Sequence, residues 1–189
     1  MIRSEPAKIL IADDEDDTRQ FLYDFLEQLG HQVIAVSNGK DALLEATTNF
    51  PDVILLDVMM PQMSGLEVCQ ALKNQETTKD IPIIFVTAKA SINDQITGLM
   101  IGAQDYINKP YRITELTARL NTALKLKRLQ DELKQTKSNL SLLKEKLTQE
   151  ISEIFIKINK VPKEDFSLDT QQELFNKVTE KINSLLNDL

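Results

Sequence analysis

Cysteine, basic blocks and long apolar runs are all scarce in this chain, and each shortage removes a class of function. A single cysteine among 189 residues, Cys69, leaves no disulfide framework within the chain and fits a reducing compartment. There is no stretch of 18 or more apolar residues and no signal-peptide pattern at the N-terminus. Neither a membrane span nor a membrane partner is therefore expected, and the chain reads as cytoplasmic. The net charge of -7 is unevenly placed: residues 1–124 hold 10 Lys and Arg against 18 Asp and Glu, residues 125–189 hold 12 against 11. An acidic first part and a remainder without a basic block argue against direct nucleic-acid binding. What is present is ordinary for a folded chain, with 42% apolar and 27% charged residues on a length that suits one full domain plus something smaller.

Apolar patterning alternates between two periods. "AKILIADD" (7–14) is a short apolar run that ends in acids, followed by helical spacing over 17–29, with Phe21, Leu22, Phe25, Leu26 and Leu29 on one side and Gly30 as C-cap. The run "QVIAV" (32–36) reads as a strand, "GKDALLEATTNF" (39–50) as a helix, and "DVILLD" (52–57) as a second buried run ending in an acid. A helix over 65–74, the strand "IPIIFVTA" (81–88), a helix over 92–101 and the short strand "DYIN" (105–108) complete the pattern. Three of the strands are too apolar to be half-exposed, so the fold class is α/β, a doubly wound parallel sheet of five strands covered on both faces.

In such sheets ligands bind at the carboxyl ends of the strands. Asp13 and Asp14 end the first strand, Asp57 the third, Thr87 the fourth, and Lys109 follows the fifth. Any one of these acids, read alone, is as readily a solvated loop residue as a functional group. Gathered on one rim, three carboxylates repel one another unless a cation neutralises them. All-oxygen ligands favour Mg²⁺ or Ca²⁺, and a site with few protein ligands suits Mg²⁺. Lys109 and Thr87 are donors suited to an anion with several oxygens, such as a phosphoryl group.

The segments "ILIADDEDD", "LLDVMMPQMSG", "IIFVTA" and "GAQDYINKP" occur in the order, and with the residues, that resemble the response-regulator receiver domain of two-component signalling, over about residues 6–124. The resemblance implies a flavodoxin-like fold and a protein that is not a conventional enzyme but takes a phosphoryl group onto itself. It assigns the phospho-acceptor to Asp57, a direct Mg²⁺ ligand to Asp14, a water-mediated one to Asp13, and a further ligand to the backbone carbonyl of Met59. Lys109 matches the lysine that pairs with Asp57 and then with the phosphoryl oxygens, Thr87 the hydroxyl that moves toward the phosphate, and Tyr106 the aromatic that swings in behind it. It also implies a cis peptide before Pro110. Met59 and Met60 otherwise read as a loop contact and core filler, although an apolar Met59, with Lys89 nearby, would slow loss of the phosphoryl group. Cys69 reads as a buried small apolar residue and His31, in the turn after Gly30, as exposed. With no phospho-donor histidine in a helical setting, the partner implied is a sensor histidine kinase or a histidine phosphotransfer protein.

From Leu126 onward, Leu129, Leu133, Leu140, Leu143, Leu147 and Ile154 step by 3 and 4, with Thr136 and Glu150 filling the remaining seam positions. The alternative is one amphipathic helix packed on its own domain. The reading divides the chain into a phospho-acceptor receiver domain (1–124), a coiled-coil signalling helix (125–160) and an amphipathic helical tail (161–189) in which Phe175, Val178, Ile182, Leu185 and Leu189 repeat the spacing after a candidate N-cap at Asp169. A parallel homodimer through residues 126–158 is expected. The last receiver helix is expected to bury Ile113, Leu116, Leu120 and Ala123, and to leave a polar stripe of Arg112, Glu115, Arg119 and Thr122 for the partner. Two other functions fit less of the pattern. One is an interaction scaffold that works without phosphorylation, and the other is the N-terminal fragment of a larger signalling enzyme whose output domain follows residue 189.

Overall fold

The computed structural model describes residues 6–88 and 98–159, together with 169, 172–173 and 175–180. The chain forms two compact units, Met1–Gln130 and Asp131–Leu189. The first unit is built from β1 (Lys8–Ala12), α1 (Asp16–Gln28), β2 (Gln32–Val36), α2 (Gly39–Asn49), β3 (Val53–Leu56), α3 (Gly65–Lys73), β4 (Ile83–Thr87) and β5 (Asp105–Asn108). It is completed by the first turns of α4, which runs continuously from Ile113 to Asn159. Residues 98–101 are also helical. The rest of the helix expected over 92–101, together with Lys89, Ile182, Leu185 and Leu189, lies outside the described residues.

All five strands are parallel, in the order β2-β1-β3-β4-β5. Strand side chains alternate between faces, and both faces are covered. Ile9 and Ile11 of β1, with Val53, Leu55, Ile84 and Val86, pack under Leu22 and Leu26 of α1 and Leu116, Leu120 and Ala123 of α4. Leu10 and Ala12, with Ile54, Leu56, Ile83 and Phe85, pack under Ala42 and Ala46 of α2 and Val68, Cys69 and Leu72 of α3. Each large aliphatic side chain buried in this way contributes about 1.5–3 kcal/mol of transfer free energy, which makes the sheet a rigid platform for whatever its strand ends carry. Every residue of β3 and β4 is buried, as their apolar runs imply.

Helix ends are set by local chemistry. The Asn38 side chain accepts from the Asp41 amide at the start of α2, and Ser64 and Glu67 form a reciprocal capping box at the start of α3. Leu29, not Gly30, closes α1, and Gly30 follows at φ +92, a left-handed conformation that costs glycine little.

The structure corrects the expectation for His31, which is 5% exposed. Its amide donates to the Leu26 carbonyl as the chain doubles back into β2, and burial, then the charge of Arg128 on α4, lowers its pKa. Cys69 is fully buried, and burial pushes its thiol up to about 11, as befits a packing residue and not a redox centre. Ile113 is only partly buried, and Leu124 joins the core in addition to the residues expected from α4. Arg119 of the polar stripe is engaged within the chain: its guanidinium donates to both carboxylate oxygens of Asp105 at 2.7 Å and to Glu115 at 3.0 Å. Of the tail beyond α4, residues 169, 172–173 and 175–180 are helical, and Phe175 is exposed.

Candidate functional site

The strand order reverses direction between β1 and β3, and their carboxyl ends flank the crevice where such sheets bind ligands. Asp13 is the first residue past β1 and Asp57 the first past β3. The Asp57 amide donates to the Ala12 carbonyl at 2.8 Å, so the two strand ends are locked side by side. Asp13, Asp14 and Asp57 each offer an oxygen, and these oxygens lie within 4.8 Å of one another. Asp13 and Asp57 are buried and Asp14 is exposed. Such an all-carboxylate cluster, partly open to solvent, fits a hard divalent cation that keeps some of its water.

Lys109 reaches this cluster from the turn after β5, with its amide donating to the Thr87 carbonyl at 2.9 Å. Its ammonium donates to Asp13 at 2.6 Å and to Asp57 at 3.2 Å, and stands 3.7 Å from Glu15. The shorter bond is thus to Asp13, whereas the resemblance implied Asp57. Burial outweighs everything else at Asp13 and raises its carboxyl pKa, against the bond from Lys109. At Lys109 burial pulls the other way, but the bond to Asp13 and the charges of Asp13 and Asp57 together hold the ammonium above its usual range. The Lys109–Pro110 peptide is cis.

The loop after Asp57 is tightly fitted. The Met59 amide donates to the Asp57 carboxylate at 3.2 Å, while its side chain is exposed. Met60 packs partly buried against the core, as filler. The Gly65 amide closes the turn onto the Val58 carbonyl at 2.9 Å. A Cβ at position 65 would fall 2.0 Å from the Asp57 carbonyl oxygen, and one at position 39 would fall 2.1 Å from that of Met63. Both glycines are therefore required by close backbone approach, which their places in the sequence as helix-start residues do not reveal.

Thr87 is the last residue of β4 and is buried; Tyr106, on the neighbouring strand, pairs in register with Phe85, their ring centroids 5.9 Å apart. The structure therefore brings Asp13, Asp14, Asp57 and Lys109 into one cluster, with Thr87 at the adjacent strand end and Tyr106 on β5 two residues before Asn108, the partner of Thr87. Beside Lys109 opens a groove of about 500 Å³, lined by Glu15, Thr18, Phe21, Tyr111 and Ile113 among others. Sequence reading did not single out Glu15, Arg19 or Tyr111; the i, i+3 spacing of Asp16 and Arg19 was the available signal for the second.

The chain is 43% identical over 124 residues to the "Probable transcriptional regulator ycf27" of Pyropia yezoensis, covering 66% of this chain and 50% of that protein. It is 42% identical over 118 residues to the alkaline phosphatase synthesis transcriptional regulatory protein PhoP of Bacillus subtilis (strain 168), covering 62% and 48%. The chain thus spans about half the length of these curated relatives. Their names describe transcriptional regulators, so the expectation of no direct nucleic-acid contact is not supported. Among solved structures, the Francisella response regulator 1452 receiver domain superimposes with a TM-score of 0.59 at 36% identity, covering 63% of this chain and 97% of that one. The BeF3-activated N-terminal receiver domain of Klebsiella pneumoniae RstA gives 0.58 at 30%, covering 62% and 97%. No helix among the described residues is long and apolar enough to cross a membrane. The family model for the response regulator receiver domain matches residues 9–121, and the chain belongs to that family.

Proposed function

We propose that the chain is a phosphorylation-controlled response regulator in which Asp57 accepts a phosphoryl group from a sensor histidine kinase or a histidine phosphotransfer protein. The observation that carries the reading is Lys109 held between Asp13 and Asp57, with Asp14 beside them. A carboxylate oxygen of Asp57 attacks phosphorus, the bond from phosphorus to the donor nitrogen breaks, and the electron pair leaves with the donor imidazole, giving an acyl phosphate. A Mg²⁺ ion held by Asp13, Asp14, Asp57 and the Met59 carbonyl would supply charge neutralisation for the transferring oxygens. Lys109 then shifts its bonds from carboxylate to phosphoryl oxygen, and the Thr87 hydroxyl donates to the new group while Tyr106 follows it inward. These are donors and charges positioned in advance, which is most of what phosphoryl transfer asks of a protein. The reaction belongs in the cytoplasm, where a kinase charged from ATP meets its acceptor.

The domain reading puts the receiver at 1–124, a coiled-coil signalling helix at 125–160 and a helical tail at 161–189. The switch passes to α4, whose stripe of Leu126, Leu129, Leu133 and Leu140 is exposed in the single chain. Pairing two such stripes as a parallel dimer through residues 126–158 removes them from water. The decisive experiment is intact-protein mass spectrometry after incubation with a small acyl-phosphate donor. The mass should rise by one phosphoryl group with Mg²⁺, and not with EDTA or in Asp57→Asn. A gain that persists in Asp57→Asn assigns the acceptor elsewhere.

A further inference from the structure

The carbonyl of Asp13 lies one residue beyond β1, whose ladders to β2 and β3 both end at Ala12. Among the described residues, no strand amide donates to it. Arg19, one turn into α1, fills that place: its Nη1 donates to the Asp13 carbonyl at 2.8 Å, and its Nη2 binds the Asp16 carboxylate at the helix start. The side chain is 20% exposed, so the fork is held against the protein and does not sample solvent freely. Between these anchors runs the turn that carries Asp13 and Asp14. Glu15 closes it from inside, its amide donating to the Asp13 carboxylate at 3.0 Å. The turn contains no glycine or proline to set its shape, and it opens a run of five consecutive acids, Asp13 to Asp17, that repel one another.

We infer that Arg19 is a positioning residue for the metal-binding acids, a guanidinium clamp that ties the Asp13 backbone to the start of α1 and so fixes where the carboxylates of Asp13 and Asp14 point. The inference rests on the proposed Mg²⁺ chemistry of this site. The planar fork is essential, because two acceptors in different directions are met by two nitrogens of one rigid group; a lysine offers a single charged point. Two roles for Arg19 give opposite signs. If it served only as a nearby positive charge, it would oppose a cation, and removing it would tighten metal binding. As a clamp, removing it lets the acids splay and weakens binding, even when the charge is kept.

The test is Mg²⁺ titration by calorimetry, with bound Mn²⁺ followed independently by electron paramagnetic resonance, on the full chain and its R19K and R19Q variants. Groups that orient a metal ligand from behind are worth roughly 10-fold or more in metal affinity, so both variants should need about 10-fold more Mg²⁺ for half-saturation. Phosphorylation of Asp57 should return to the wild-type rate once Mg²⁺ saturates the site, and melting in EDTA should stay within a few degrees of wild type. If R19Q loses its fold, R19K decides alone, since it keeps the charge and most of the stem. Unchanged or tighter Mg²⁺ binding in R19K overturns the inference. A wild type that binds no Mg²⁺ instead overturns the reading on which it stands, so the two failures are distinguishable.

Discussion

Replacing Lys109 by methionine should destabilise the metal-free protein and make it more dependent on Mg²⁺. The ammonium lies 2.6 Å from Asp13 and 3.2 Å from Asp57, with side-chain exposures of 13%, 3% and 8% for the three groups. At an effective dielectric of about 20, the two attractions are roughly 6 and 5 kcal/mol. Most of this is offset by the desolvation of two buried carboxylates and a half-buried ammonium, and removing the cation from such a cluster, which leaves the buried acids uncompensated, costs about 3–5 kcal/mol. The lower end applies here, because the raised pKa of Asp13 lets it take up a proton more readily than an ordinary carboxyl. A loss of about 3 kcal/mol corresponds to roughly 6–12 °C in Tm for a chain of this size. Methionine keeps the length of the stem, so packing changes little. Differential scanning calorimetry of wild type and Lys109→Met, each in EDTA and in saturating Mg²⁺, separates the terms. The variant should melt lower in EDTA and gain more from Mg²⁺ than wild type does, since the cation then balances the acids alone. Equal melting in EDTA, or an equal gain from Mg²⁺, would refute the view that Lys109 is the counter-charge of the metal-free site.

Thr87→Ala should leave the phosphoryl mass gain intact yet abolish any phosphorylation-dependent change in assembly, because a buried hydroxyl at the strand end biases a two-state element by about 1–3 kcal/mol without being the nucleophile; a variant that changes assembly as wild type does routes the switch elsewhere. Leu133 and Leu140 are 56% and 61% exposed, and burying each in a seam is worth up to about 1.5–3 kcal/mol, so changing both to Gln should give monomers by light scattering while Asp57 still reacts. Monomeric wild type at tens of micromolar counts against the coil. Asp13 has its carboxyl raised by burial, so the folded state holds that proton more tightly than the unfolded one. Its contribution is complete below the ordinary carboxyl range and is lost as pH rises through the folded value. In EDTA at neutral pH, Asp13→Asn should therefore melt above wild type, and the difference should shrink in acid; a lower melting temperature at neutral pH would show that the bonds from Lys109 and Glu15 outweigh burial.

Much of the fold and part of the site were legible because they depend on local pattern. Apolar runs such as "ILLD" and "IIFVT" show on inspection that β3 and β4 are covered on both faces, and a strand that ends in an acid places that acid at the rim without any knowledge of packing. Alternating strands and helices then force parallel pairing, and with it the gathering of Asp13, Asp57 and Lys109 from points up to 96 residues apart. Tertiary structure alone decided how those charges are balanced. His31 sits among turn residues that look exposed, yet it is buried in a setting that includes Arg128, nearly a hundred residues later. Arg119 lies on a helix stripe that looked available to a partner, but β5 brings Asp105 against it and occupies the guanidinium. Nothing in the run of acids from Asp13 to Asp17 indicates that a backbone carbonyl past the end of β1 needs a donor, or that Arg19 supplies it. Periodicity records which side of an element meets the core, because that is a property of neighbours in sequence. Which cation meets which carboxylate depends on distances of a few ångströms between elements, and those exist only once the sheet has closed.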